Sequence, residues 1–112
     1  MASILWTERA RADVVDIGDY IAQRNPVAAL RFVDELMDRA LILAHQPRSG
    51  RVVPEIGAEE FRELIHGNYR IVYRLVGDEV HILTVFEGHR LFGPGRLDSS
   101  GHIDEEKKEE SE

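Results

Sequence analysis

The chain has 112 residues, 43% of them hydrophobic and 31% charged, with a formal net charge of -7. That is enough for one domain with a small core, and no apolar run approaches the roughly 20 residues that span a bilayer. Without cysteine, a disulfide framework, a thiol nucleophile and a cysteine-based zinc site are all excluded.

Ser3 to Trp6 is a short apolar run with the character of a strand. Thr7 suits the N-cap of a following helix, and Glu8 suits its positive end. Ala10, Val14, Ile17 and Ile21 then recur at helical spacing. The intervening Asp13, Asp16 and Asp19 are expected on a solvated face. Asn25-Pro26 interrupts the pattern, since proline disfavours helix in the residue before it and favours the first turn of a new one. The second helix is expected from Pro26 to about Gln46, with its stripe formed by Ala29, Phe32, Val33, Leu36, Ala40 and Leu43. Two helices so tightly joined form an antiparallel hairpin.

After a loop from Arg48 to Glu60 the period changes from 3.6 to 2. Phe61–His66, Tyr69–Val76 and Glu79–Phe86 alternate as strands, separated by Gly67-Asn68 and Gly77-Asp78. Glycine in both two-residue turns favours hairpins, so the three segments read as an antiparallel meander. Helices followed by strands give an α+β fold: a two-helix hairpin on one face of an antiparallel sheet, built from the short N-terminal strand and the C-terminal meander. Ile71, Tyr73 and Leu75 share the face expected to meet the helices. Arg70, Val72, Arg74 and Val76 share the other, which is expected to be open to a partner.

Charge is unevenly distributed. Residues 98–112 hold seven carboxylates and two lysines, whereas residues 1–97 hold 14 acids and 12 bases, all of them arginine. The expected organisation is therefore one domain over residues 1–97 and an acidic, disordered tail over 98–112. The opening MASILWTERARAD is too acidic, and its apolar stretch too short, for a secretory signal. A soluble cytoplasmic protein is expected.

The five histidines show no metal-ligand spacing, and no phosphate-binding glycine loop or nucleophile elbow occurs. Neither a metal nor a cofactor is expected. The residues that stand out are Arg62, Arg70, Arg74 and Arg90, interleaved with His66, Tyr69, Tyr73 and His89. Guanidinium forks beside aromatic rings suit phosphate, carboxylate or nucleic-acid bases. The plainer alternative is a solvated sheet face on which arginines pair with Glu63 or Glu79. Arginine stays protonated and cannot serve as a general base. RNA cleavage would therefore need His66, His89, Tyr69 or Tyr73 for proton transfer.

Asp16-Ile17-x-x-Tyr20-Ile21-Ala22, Asn25-Pro26-x-Ala28-Ala29-x-Arg31-Phe32-Val33-Asp34 and Pro47-x-x-Gly50-Arg51 are followed by Phe61-Arg62-Glu63-Leu64. Then come Tyr69-Arg70-Ile71-Val72-Tyr73-Arg74, Val80-x-Ile82-Leu83-x-Val85 and Gly88-His89-Arg90. Over residues 3–90 this order resembles the ParE branch of the RelE/ParE superfamily, the toxins of type II toxin–antitoxin systems. The resemblance implies a helical hairpin on an antiparallel sheet and a cognate, ParD-like antitoxin. It also implies growth inhibition through binding to DNA gyrase and arrest of replication. The RelE branch instead cleaves mRNA on the ribosome with basic sheet residues and a C-terminal tyrosine. Arg70 and Arg90 match two of those basic positions, and His89 is the candidate proton carrier in that alternative. Leu91-Phe92-Gly93-Pro94-Gly95-Arg96 stands where the tyrosine would be, which favours the ParE branch. A third alternative is a family member without toxicity. The expected target or antitoxin contacts are Arg62, Arg70, Arg74 and Arg90.

Overall fold

A computed structural model describes residues 1–88; His89, Arg90 and the acidic tail lie outside the described residues. Strand β1 (Ser3–Trp6) leads into helix α1 (Glu8–Ala22) and helix α2 (Pro26–Leu41), which closes in a 3-10 turn over Ile42–Ala44. Strands β2 (Arg51–Val52), β3 (Phe61–His66), β4 (Tyr69–Val76) and β5 (Glu79–Glu87) follow. The expected second helix thus gives up regular α geometry after Leu41, short of Gln46.

Both caps form as their sequence signals indicate. The Thr7 hydroxyl accepts from the Ala10 amide at 3.1 Å, and the Asn25 side chain accepts from Ala28 at 3.0 Å with Pro26 in the first turn. These contacts satisfy amide groups that a helix start leaves without intrahelical partners. Thr7 has a second role. Its hydroxyl lies 2.9 Å from the carbonyl of Ile82 and 3.0 Å from that of Leu83, tying the start of α1 to β5.

The sheet has the order β1-β5-β4-β3-β2. The meander is antiparallel as expected, but β1 runs parallel to β5, in register from Ser3↔Glu79 to Trp6↔Ile82. The sheet is therefore mixed and has five strands. A four-residue strand with three apolar residues carries no signal of the direction in which it pairs, and the two-residue β2 is too short to show a period.

The helix hairpin covers one face. Val14, Ile17, Phe32, Leu36, Ala40 and Leu43 pack with Leu64, Ile71, Tyr73, Leu75, Val80, Ile82 and Val85. At full burial each large apolar side chain contributes about 1.5–3 kcal/mol. Gly18 and Val33 bring the two helices close, a Cβ at Gly18 falling 3.4 Å from the Val33 side chain. A bulge between Val72 and Tyr73 shifts the register on β5 by one residue. Leu83 and Phe86 consequently face away from the helices, while Ile82 and Val85 face them.

The second face is not open. Val53, Ile56 and Ala58 of the β2–β3 loop lie over Phe61, Val72, Leu83 and Phe86, giving a second small core. Val53 is completely buried. The expectation of an exposed arginine surface fails because this loop, whose apolar residues are too few and too irregularly spaced to look like an element, folds back as a cover.

Candidate functional site

Alternation along β3 and β4 decides which arginines can act together. Arg70 and Arg74 share the loop-covered face with Phe61, Glu63 and Val72. Arg62 points to the opposite side, in register with Tyr73. The expected cluster of three is therefore divided by the sheet.

Arg70 is the centre of a buried ionic network and is only 3% exposed. Its Nε donates to Glu63 Oε1 at 2.6 Å. Its two terminal nitrogens meet both oxygens of Glu55 at 2.8 and 2.7 Å, a fork-to-fork contact. Arg51 Nε donates to the second oxygen of Glu63, also at 2.6 Å. Glu63, whose side chain is completely buried, thus accepts from two arginines. The guanidinium carbon of Arg70 also lies 5.2 Å from the centre of the Phe86 ring. Glu55 and then Glu63 hold the Arg70 guanidinium even more firmly protonated than usual, against the opposing effect of burial. Such an arrangement withstands desolvation because every charge meets a counter-charge in hydrogen-bonding geometry.

The other arginines are also engaged internally. Arg62 donates to the carbonyls of Glu59 and Gly50 at 2.9 Å, tying the residue before β2 to the end of the β2–β3 loop. Arg74 stacks over Phe61, 5.2 Å from the ring centre. The more accessible guanidiniums at this end are those of Arg48 and Arg51. Sequence reasoning did not single these two out, although Arg51 belongs to the Pro47-x-x-Gly50-Arg51 motif.

The described proton-transfer candidates, His66, Tyr69 and Tyr73, lie across the sheet from Arg70. His66 and Tyr69 both pack on Phe32, with ring centres 5.4 and 5.1 Å away. The His66 imidazole is 4.0 Å from Glu35 of α2. Tyr73 is fully buried: its hydroxyl donates to the Pro47 carbonyl at 2.8 Å and accepts from the Gly50 amide at 2.9 Å. Burial raises its pKa. This lock explains the glycine, because a Cβ at position 50 would come within 2.5 Å of the Glu63 carbonyl oxygen and 2.6 Å of the Tyr73 hydroxyl.

A cleft of about 450 Å³ opens between α1 and the end of β5, lined by Arg9, Asp13, Tyr20, Tyr69, Phe86 and Glu87. Asp13 does not join the solvated face expected of it. Its carboxylate accepts from Thr84 Oγ1 at 2.5 Å and from the Val85 amide at 2.9 Å, fastening α1 to β5. Among the described residues, no three histidine or acidic side chains are placed to hold a metal ion. No helix among them is long and apolar enough to cross a membrane.

This arrangement has known counterparts. Residues 4–92 match the family model described as the ParE toxin of the type II toxin–antitoxin system parDE. "Toxin RelE2" of Caulobacter vibrioides is 38% identical over 92 residues, covering 81% of this chain and all of that protein. "Putative toxin Y4kP" of Sinorhizobium fredii is 38% identical over 89 residues, covering 78% of this chain and 88% of that one. A solved chain from the "Chromosomal ParDE TA system from P. aeruginosa" superposes with a TM-score of 0.66 at 27% identity, over 78% of this chain and 96% of that one. Helix hairpin, sheet and ordered motifs therefore converge, and the chain belongs to the ParE toxin family of type II toxin–antitoxin systems.

Proposed function

We propose that this toxin inhibits growth by binding DNA gyrase and blocking replication, that a cognate ParD-like antitoxin neutralises it, and that it acts in the cytoplasm. The observation that carries the binding reading is the division of chemistry across the sheet. The Arg70 guanidinium, which would stabilise phosphorane charge in a nuclease, is enclosed by Glu55 and Glu63. A phosphate approaching it would meet two carboxylates first. His66, Tyr69 and Tyr73, the described candidates for proton transfer, are on the helix-covered face. General acid–base catalysis needs the proton carrier within hydrogen-bond reach of the reacting oxygen. This separation supports action by binding. Arg74, Arg62 and Arg70 then serve the contact surface by shaping and holding it, and Arg90 remains a proposed direct contact.

The test is a pair of assays on the purified chain. DNA supercoiling by gyrase should be inhibited, and mRNA on translating ribosomes should remain intact. Cleavage that disappears in His89→Ala or Arg90→Ala would establish the RelE-type alternative. Absence of both effects, together with normal growth on expression, would establish the non-toxic one. Co-expression with a neighbouring antitoxin gene should yield a purifiable complex and restore growth.

A further inference from the structure

Helix α2 has two apolar stripes, and the described residues bury only one against the sheet. Ala29, Leu36 and Ala40 are buried against the sheet. Val27, Leu30, Met37 and Leu41 are exposed, by 65%, 71%, 40% and 61% respectively. Together with Asp34 they occupy positions 27, 30, 34, 37 and 41, the alternating three- and four-residue spacing of a helix–helix seam. At about 100° per residue these five positions fall within an arc of roughly 80°. The arc lies next to the side of α2 that meets α1, because Val33 contacts Gly18 there. Val15 of α1, also exposed, widens the patch. Scattered exposed apolar residues need no explanation, whereas a continuous seam marks a docking surface.

Charge selects the occupant. Asp34 sits in the middle of the seam and Asp38 beside it on the side away from α1, where Arg31 also lies; Glu35 is further round the helix, near His66. Across the hairpin, the exposed acids Glu8, Asp16, Asp19, Asp34, Glu35 and Asp38 outnumber the exposed Arg11, Arg24 and Arg31. A second copy of this chain fits poorly. Antiparallel pairing of two α2 seams about a two-fold axis would place Asp34 against its own symmetry mate, and like charges in a seam are unfavourable. We propose that the outer face of α2 docks a cationic amphipathic helix of a partner protein, with apolar residues at seam spacing and a lysine or arginine opposite Asp34. This is the helix-in-groove mode of recognition, with the central charge fixing register. It is independent of which protein the toxin inhibits.

Two synthetic helical peptides of about eighteen residues test this on the full chain, long enough to cover α2. Both carry leucine at seam spacing; one has lysine at the central and flanking positions, and its twin has glutamate. By fluorescence anisotropy the lysine peptide should bind at least about tenfold more tightly than the glutamate peptide, a difference of about 1.4 kcal/mol. Leu30→Ser should cost the lysine peptide about tenfold while leaving the thermal midpoint of the free chain unchanged, because the position is exposed. Asp34→Lys should reverse the preference between the peptides. Equal binding of the two peptides, no binding of either, or indifference to Leu30→Ser or Asp34→Lys would overturn the proposal. So would wild-type self-association in sedimentation that Leu30→Ser abolishes, since the seam's occupant would then be a second copy.

Discussion

The two faces of the sheet are stabilised by different physics. Beneath the helices, Leu36, Leu43, Ile71 and Val80 exclude water through area alone, and apolar neighbours of similar volume are interchangeable at modest cost. Beneath the β2–β3 loop the apolar cluster is smaller, and Arg70, Glu63 and Glu55 join it as a charged set whose members depend on one another. An apolar face degrades gradually under substitution. A buried ionic face fails when one member is removed, because the remaining charge has lost its counter-charge but stays out of water.

The sharpest way to break this contrast is Glu63→Ala, which removes the carboxylate shared by Arg70 and Arg51. A loss of about 3–5 kcal/mol is expected, at least as large as the roughly 2–5 kcal/mol for Leu36→Ala on the other face. Chemical denaturation of both variants checks it. The distinguishing measurement is Glu63→Leu with Arg70→Met and Glu55→Gln, which removes all three charges together. Recovery of much of the lost stability by this triple variant would establish that the single change suffers from an orphaned charge. Failure to recover would mean that the network contributes attraction beyond its desolvation cost.

Part of this contrast was legible before any coordinates. Period-3.6 stripes at Val14/Ile17 and Phe32/Leu36/Leu43 report burial on one face of each helix, and the alternation in Tyr69–Val76 reports a strand, so the hairpin and meander follow from them. Pairing direction does not follow, because β1 meets β5 across most of the described chain. The loop cover was missed for a related reason: Val53, Ile56 and Ala58 lie at no regular spacing, and only the tertiary fold brings them over Phe61. The same blindness affected the site. Alternation correctly put Arg70 beside Arg74, and pairing with Glu63 was among the alternatives, but Glu55 is fifteen residues away and gave no sign. Asp13 looked like any carboxylate on a polar helix face. Its bonds to Thr84 and Val85 depend on the β5 bulge, which has no signature in Ile82-Leu83-Thr84.

The Gly50–Tyr73 lock sits where the two faces meet, since Gly50 adjoins both the Tyr73 hydroxyl and the backbone of Glu63. Gly50→Ala should cost about 1–3 kcal/mol, because an extra methyl must displace one or the other. Tyr73→Phe should cost a similar amount by leaving the buried Gly50 amide without its acceptor. The latter variant also has a pH signature. Burial raises the tyrosine pKa in the folded chain, so the unfolded chain releases this proton first as pH rises above its ordinary value of about 10. Stability from this group is complete below that value and is lost as pH climbs towards the folded pKa. Tyr73→Phe should therefore have a flatter alkaline limb than the parent in thermal melts taken from neutral to strongly alkaline pH. Parallel limbs would mean that this hydroxyl does not resist ionisation.

The smallest effect is expected where an ion pair is present without burial. Arg48 and Glu59 approach to 3.4 Å over the same loop, yet their side chains are 64% and 77% exposed. Water screens such a pair, and two long side chains must give up rotamer freedom to hold it, so its net contribution is about 0–1 kcal/mol. Glu59 has a second partner in Arg62, at 3.3 Å, but Arg62 gets its firmest contacts from the Glu59 and Gly50 carbonyls. Those backbone acceptors survive any change in the Glu59 side chain. Arg48→Ala and Glu59→Gln should each shift stability by less than about 0.5 kcal/mol, within the range of ordinary surface substitutions. Raising salt to about 1 M shortens the screening length to roughly 3 Å, which should abolish even that difference while leaving the Glu63→Ala deficit largely intact. A Glu63→Ala deficit that shrinks with salt as the Arg48→Ala deficit does would place the Arg70 network in contact with solvent, and the division between the two faces would fall.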